Sequence, residues 1–307
     1  MNPMTLLRGF VKIVHLPPPK KGFYADRPWY YPTVVARRLI NYYLLICVAL
    51  FLMQNSLLYP RWISGAALNT EDAVRQAKVY GLVPWNQTTS GASTSQGYVP
   101  TNFAAPAPRG TIVLFHGNGG WAIDRGQYVD AFTQRGFRIF LYEYPGYGGR
   151  PGRPSEAAIV PDAQALIRSL DQAGYGPVYV WGESLGAGVA AAVCADENLP
   201  VHGLVLLTPW DTLAHTAGAY YPFVPVAMLL RDKYDSISNL QHFRYPICEV
   251  RCTQDKVIPP RLNLNLYAHL PEPKQMIVLE GCGHDDWPYA PDLSWWDHAL
   301  DFIAPRN

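Results

Sequence analysis

Val178-Tyr179-Val180-Trp181-Gly182-Glu183-Ser184-Leu185-Gly186-Ala187 reads as a strand, a tight turn and the opening of a helix. The run Val178 to Trp181 is apolar throughout, as suits a strand buried on both faces of a sheet. The helix pattern follows from Ala187 to Ala195. Gly182 and Gly186 flank the serine in a G-x-S-x-G spacing, and glycine relieves the crowding of a strained turn. Such a turn pushes a serine oxygen out of the top of the sheet. The helix amino terminus behind it favours developing negative charge.

The same rhythm extends outward. Short apolar strands are expected at Thr111–Phe115, Phe137–Tyr142, Leu204–Leu207, Ile247–Cys252 and Met276–Leu279. Helix-length stretches separate most of them, at 122–135, 156–173, 185–197, 259–270 and 292–303. Apolar strands alternating with helices imply an α/β fold with a mostly parallel sheet covered on both faces. Sites in such sheets lie at the carboxyl ends of the strands. Residues 86–109, rich in Thr, Ser, Gly, Ala and Pro, read as irregular edge strands and turns. Residues 212–245 form a longer, aromatic, proline-broken insertion, as a lid over a pocket would be.

A serine hydroxyl needs an adjacent base to act as a nucleophile. In this kind of sheet the partners follow in the order serine, acid, histidine. Of eight histidines, His284 alone sits just past a late apolar strand, behind the small residues Gly281-Cys282-Gly283. His269 and His298 fall in helical patterns, and His116 ends the first core strand. The acid is expected at the end of the preceding strand, where Asp255 leads into a helix; Asp211, past the Leu204–Leu207 strand, is the second candidate. Asp255 would hold the His284 tautomer and stabilise its protonated form. His116-Gly117-Asn118-Gly119-Gly120 follows the first core strand. Its backbone can bind an oxyanion through the N–H of Asn118, with Gly119 the other choice, together with the N–H of Leu185.

The chain has 307 residues, 49% hydrophobic and 16% charged, which excludes a mostly disordered protein. A formal net charge of +1 gives no sign of a nucleic-acid partner. Charge is uneven along the chain. Residues 1–40 carry seven basic side chains and one acid, leaving 18 basic and 23 acidic, or −5, for the rest. From Leu39 to Pro60 no side chain is charged, and Tyr42, Tyr43 and Tyr59 sit at the ends of this run. We therefore expect a basic, Pro-rich cytoplasmic tail at 1–35, a transmembrane anchor at 36–58 and a catalytic domain at 59–307. Arg37 and Arg38 abut the start of the span, so the positive-inside tendency places the domain outside the cytoplasm, in the periplasm if the source is bacterial. The tail would rest on anionic lipid headgroups or dock a protein partner.

Taken together, the motifs resemble the α/β-hydrolase superfamily, in particular N-terminally anchored serine hydrolases whose branch includes protein depalmitoylases and lysophospholipase-like enzymes. The matching pieces are Gln54-Asn55-Ser56-Leu57-Leu58-Tyr59-Pro60, the His116–Gly120 loop and Tyr144-Pro145-Gly146-Tyr147-Gly148. Gly182–Gly186, Thr253-Gln254-Asp255-Lys256-Val257-Ile258-Pro259 and Gly281–Asp286 complete the set. Glu143 stands where relatives often carry Asp, and Cys252 where Gly is common. The resemblance implies hydrolysis of an ester or thioester with a hydrophobic acyl part, without cofactor or metal. Trp121, Tyr220, Tyr221 and Phe223 are the candidates to line an acyl pocket, packing against the sheet being the other role open to them. Cys252 and Cys282 lie on loops that must meet, and an oxidising compartment would allow them to pair. A non-catalytic membrane scaffold and a peptidase are the competing functions.

Overall fold

The computed structural model describes residues 30–61, 70–89, 92–107 and 109–306. The expected tail lies largely outside them, at residues 1–29. The chain divides into two compact units between Gln54 and Asn55. The first unit consists, where described, of the helix α1 (Tyr30–Leu58), whose last residues enter the second unit. It begins before the expected span, because a proline such as Pro32 is tolerated in a first turn. The 27 residues from Pro32 to Leu58 are long and apolar enough to cross a membrane. At 1.5 Å per residue they extend about 40 Å, against a hydrocarbon core of about 30 Å.

The second unit is built on one eight-stranded sheet in the order β1-β2-β4-β3-β5-β6-β7-β8. β1 (Leu82–Thr89) and β2 (Ala92–Pro100) form an antiparallel edge. The other six run parallel: β3 (Gly110–Phe115), β4 (Phe137–Tyr142), β5 (Val178–Glu183), β6 (Val201–Leu207), β7 (Ile247–Cys252) and β8 (Lys274–Leu279). The sequence patterns place all six, with β3, β5, β6 and β8 longer than their most apolar cores.

Alternation along each strand splits the core in two. Val113 and Phe115 face one side with the inner faces of α4 (Glu156–Gln172), α5 (Leu185–Val193), α8 (Ser236–Leu240) and α9 (Pro260–His269). Ile112 and Leu114 face the other, with α2 (Thr70–Val79), α3 (Val129–Thr133) and α10 (Trp295–Ile303). On that second face Trp181 stacks on Trp296 with ring centroids 5.0 Å apart, pinning α10 beneath the end of β5.

The helix expected at 122–135 is instead a 3₁₀ segment, Ala122–Tyr128, followed by the short α3. At Gly126, within that segment, a Cβ would lie 2.6 Å from Tyr80 Cγ, so the chain packs closely against that ring. The insertion folds into α6 (Leu213–Tyr220), α7 (Val226–Leu229) and α8. An isolated bridge between Thr212 and Asp235 closes its base.

Candidate active site

Ser184 sits between β5 and α5 with φ 52° and ψ −112°, a left-handed backbone that a side chain adopts only under constraint. The constraint is close packing. A Cβ on Gly186 would overlap the Phe115 carbonyl oxygen, and one on Gly182 the carbonyl oxygen of Gly186. Only glycine lets the turn press against the end of β3. The Ser184 N–H donates to the Leu207 carbonyl at 3.0 Å, which ties the turn to β6.

Two further loops converge on this serine. His284 Nε2 lies 2.9 Å from Ser184 Oγ, although 100 residues separate them. Its Nδ1 lies 2.8 Å from Asp255 Oδ2. The other Asp255 oxygen accepts the N–H groups of Val257 and Ile258 at 2.7 and 2.8 Å. A carboxylate so held accepts from Nδ1–H, and Nε2 is then free to accept the serine proton. The two loops are laced together: Gln254 N–H donates to Cys282 O at 2.9 Å and Gly281 N–H to Thr253 Oγ1 at 2.9 Å. The Asp255 side chain is fully buried and that of His284 is 10% exposed, so solvent barely competes for the bond between them.

Asp211, the other candidate acid, is engaged elsewhere. Its Oδ2 lies 2.8 Å from His215 Nδ1 and accepts from Asn265 Nδ2 at 2.7 Å. These residues line a cavity of about 410 Å³ between α6 and α9, which neither Ser184 nor His284 lines.

Asn118 lies on the loop after β3, and Leu185 directly follows Ser184. The Leu185 N–H opens α5 and therefore has no partner within the helix. The Asn118 N–H likewise meets no acceptor among the described residues, while its carbonyl accepts from Tyr147 Oη at 3.2 Å and its side chain donates to Leu58 O at 3.4 Å. Beneath the loop, His116 is fully buried, with Nε2 3.1 Å from Glu143 Oε1 and its carbonyl accepting from Tyr144 Oη at 2.6 Å. Glu143 Oε2 also accepts the Ala122 N–H at 3.1 Å. The Glu that departs from the usual Asp thus bridges the strand-end histidine to the start of the 3₁₀ segment.

Comparison with known proteins adds the family. A family model for the alpha/beta hydrolase fold matches residues 110–232. An uncharacterized protein of Mycobacterium tuberculosis is 33% identical over 203 residues, covering 65% of this chain and 71% of that protein. This chain belongs to the α/β-hydrolase superfamily. The lysophosphatidylserine lipase ABHD12 of Danio rerio is 26% identical over 208 residues, or 62% of this chain and 54% of the relative. Among solved structures, an α/β hydrolase from Vibrio vulnificus superposes with a TM-score of 0.58 at 16% identity, over 76% of this chain and 86% of that one. The hydrolase GrgF from Penicillium sp. sh18 superposes with a TM-score of 0.52 at 18% identity, over 72% of this chain and 97% of that one.

Within this α/β hydrolase the expected pocket residues separate into two groups. Trp121 is 3% exposed and packs in the core on the second face of the sheet, not at an open surface. Tyr220, Tyr221 and Phe223 are exposed on the insertion, Phe223 at 87%. Tyr220 Oη donates to the Val257 carbonyl at 2.7 Å, two residues past Asp255. Cys252 and Cys282 are free, buried thiols rather than a disulfide. They fill the core beneath the Asp255 and His284 loops, and burial, with the neighbouring Cys282, pushes the Cys252 thiol up to about 12. Sequence reading misses the Glu143 bridge, the Tyr144 and Tyr147 hydroxyls and an Arg125–Glu183 ion pair. Each joins segments far apart in the chain, and a Tyr-rich Y-P-G-Y-G run is the only local sign of any of them.

Proposed function

We propose that this α/β hydrolase is a membrane-anchored serine hydrolase that cleaves carboxylic esters or thioesters. The observation that carries this reading is the hydrogen-bonded series Ser184–His284–Asp255, with steps of 2.9 and 2.8 Å. Ser184 Oγ attacks the carbonyl carbon while His284 Nε2 takes its proton. The tetrahedral oxyanion is held by the N–H groups of Asn118 and Leu185. His284 then gives the proton to the departing alcohol or thiol, and an acyl-enzyme forms. Water enters, loses a proton to His284 and releases the acid, which regenerates Ser184. No cofactor enters this sequence of steps.

Two observations support an acyl-lipid substrate. The apolar helix at Pro32–Leu58 would keep the hydrolase beside a bilayer, where lipids are the most concentrated esters. The relative from Danio rerio carries the name of a lysophosphatidylserine lipase. Arg37 and Arg38 favour a cytoplasmic amino terminus and an extracytoplasmic hydrolase domain. The test is turnover of p-nitrophenyl esters by the purified full chain beside Ser184→Ala. The reading requires that the substitution abolish turnover while thermal unfolding stays unchanged; turnover that survives it removes Ser184 as the nucleophile.

A further inference from the structure

Arg125 lies in the 3₁₀ segment that follows the His116–Gly120 loop, and its side chain reaches back beneath that loop to the serine turn. Its Nε donates to Glu183 Oε2 at 2.8 Å. Glu183 is the residue immediately before Ser184. The two side chains are 17% and 4% exposed. A Cβ on Gly120 would overlap Arg125 Nη1, and one on Gly117 would lie 3.8 Å from Nη2 and 3.7 Å from Ser184 Cβ. The guanidinium therefore packs against both ends of the glycine-rich loop while gripping the end of β5. The remaining oxygen of Glu183 is buried with no partner among the described residues, so the carboxylate depends on Arg125. Burial pushes the Glu183 carboxyl up and the guanidinium pulls it back down.

A buried ion pair is weak evidence for stability, because desolvating two charges offsets much of their attraction. Its value lies in direction: the Nε–H of the planar guanidinium points at one carboxylate oxygen of Glu183 while its Nη groups lie against the loop. Here that geometry joins the segment bearing Asn118 to the segment bearing Ser184 and Leu185. Resting on the serine-hydrolase reading, we propose that Arg125 and Glu183 are positioning residues that fix the oxyanion loop against the nucleophile turn, so that the Asn118 and Leu185 N–H groups converge on one oxygen. Neither side chain touches the reacting atoms. Their contribution appears in the transition state, where the oxyanion exists, and not in the affinity for substrate.

The test compares the full chain with Arg125→Met, Arg125→Lys and Glu183→Gln. Thermal unfolding, kcat and KM for p-nitrophenyl butyrate, and the rate of labelling by a fluorophosphonate are measured for each. Misplacing one oxyanion donor by about 1 Å is expected to cost about 10²-fold. Arg125→Met should then lower kcat and the labelling rate together by about 10- to 100-fold, with KM within about threefold. Arg125→Lys, which keeps the charge without the planar guanidinium, should recover part of the loss, and Glu183→Gln should fall between. A folded Arg125→Met whose kcat stays within twofold of the parent overturns the proposal. So does a loss confined to KM, or a collapse of folding in all three variants, which would make the pair a stability element. A parent chain that never labels overturns the serine-hydrolase reading and this inference together, whereas a labelled parent with an indifferent Arg125→Met overturns this inference alone.

Discussion

Asp255→Asn changes one atom in a site whose geometry it leaves intact, so its effect can be worked out from contacts. The asparagine carbonyl can still accept the N–H groups of Val257 and Ile258, now held at 2.7 and 2.8 Å. The fold of the loop should survive. The amide NH₂ then faces His284 Nδ1 in place of the carboxylate oxygen at 2.8 Å. Nδ1 must accept rather than donate, which moves the imidazole proton to Nε2. That proton points at Ser184 Oγ, 2.9 Å away, and the base is lost. Loss of the correct tautomer costs about 10⁴ in kcat in triads of this geometry, or about 5.4 kcal/mol at 1.36 kcal/mol per decade. Asp211→Asn is the matched control. Asp211 bonds His215 and Asn265 and shares no partner with His284, so its turnover should stay within roughly threefold of the parent. The assay is kcat for p-nitrophenyl butyrate, with thermal unfolding as the check on folding. An Asp255→Asn protein that keeps more than a tenth of parental kcat, or an Asp211→Asn protein that loses more than Asp255→Asn, refutes the assignment of the acid.

Four further outcomes follow from other parts of the molecule. Gly186→Ala drives a methyl into the Phe115 carbonyl and should cost about 3 kcal/mol or more, a fall of about 6–12 °C in Tm for a domain of this size; an unchanged Tm would show that the turn can relax. Tyr59→Phe deletes the hydroxyl that donates to Asp232 at 2.7 Å and meets Tyr234 Oη at 2.9 Å, and should cost about 1–3 kcal/mol in thermal unfolding. Glu249 is fully buried on β7 with both carboxyl oxygens unpartnered among the described residues, and burial holds its carboxyl well above the usual range against the pull of Arg251 and Lys274. The folded state then binds the extra proton, so stability falls as pH rises above the unfolded value of about 4.3, and Glu249→Gln should gain Tm over the parent at pH 8 relative to pH 4; a gap independent of pH contradicts this. The exposed apolar residues of the insertion, among them Phe223 and Met228, should raise kcat/KM from acetyl to octanoyl esters, since each buried methylene contributes about 0.8 kcal/mol; activity that peaks at acetyl removes the acyl-lipid reading.

The sheet was legible because buried parallel strands are short apolar runs, and Val178–Trp181 or Phe137–Tyr142 can be read in isolation. That Ser184, Asp255 and His284 meet was legible because chain order and strand ends limit which residues can come together, and the structure brings these three into hydrogen-bond contact. The 3₁₀ break at Ala122–Tyr128 was not; that segment packs at Gly126 against Tyr80, more than 40 positions away in the sequence. Nor were the buried polar contacts between distant segments. Arg125 and Glu183 are 58 residues apart, and Tyr59 and Tyr234 are 175 apart. Nothing near either member announces the other, because the pairing is a property of the folded sheet. Trp121 shows the same limit from the other side: its place beside the glycine-rich loop suggested a pocket wall, but tertiary packing buries it at 3% exposure.

The central claim is that Ser184 is an activated nucleophile. Incubation of the purified full chain with a fluorophosphonate, followed by mass spectrometry of the digested protein, tests it directly, because the reagent bonds far faster to a serine whose proton is being removed than to an ordinary hydroxyl. A single adduct on the peptide carrying Ser184, absent from Ser184→Ala and slowed by orders of magnitude in Asp255→Asn, is the predicted result. A folded parent chain left unmodified, or an adduct on a different residue, would contradict it.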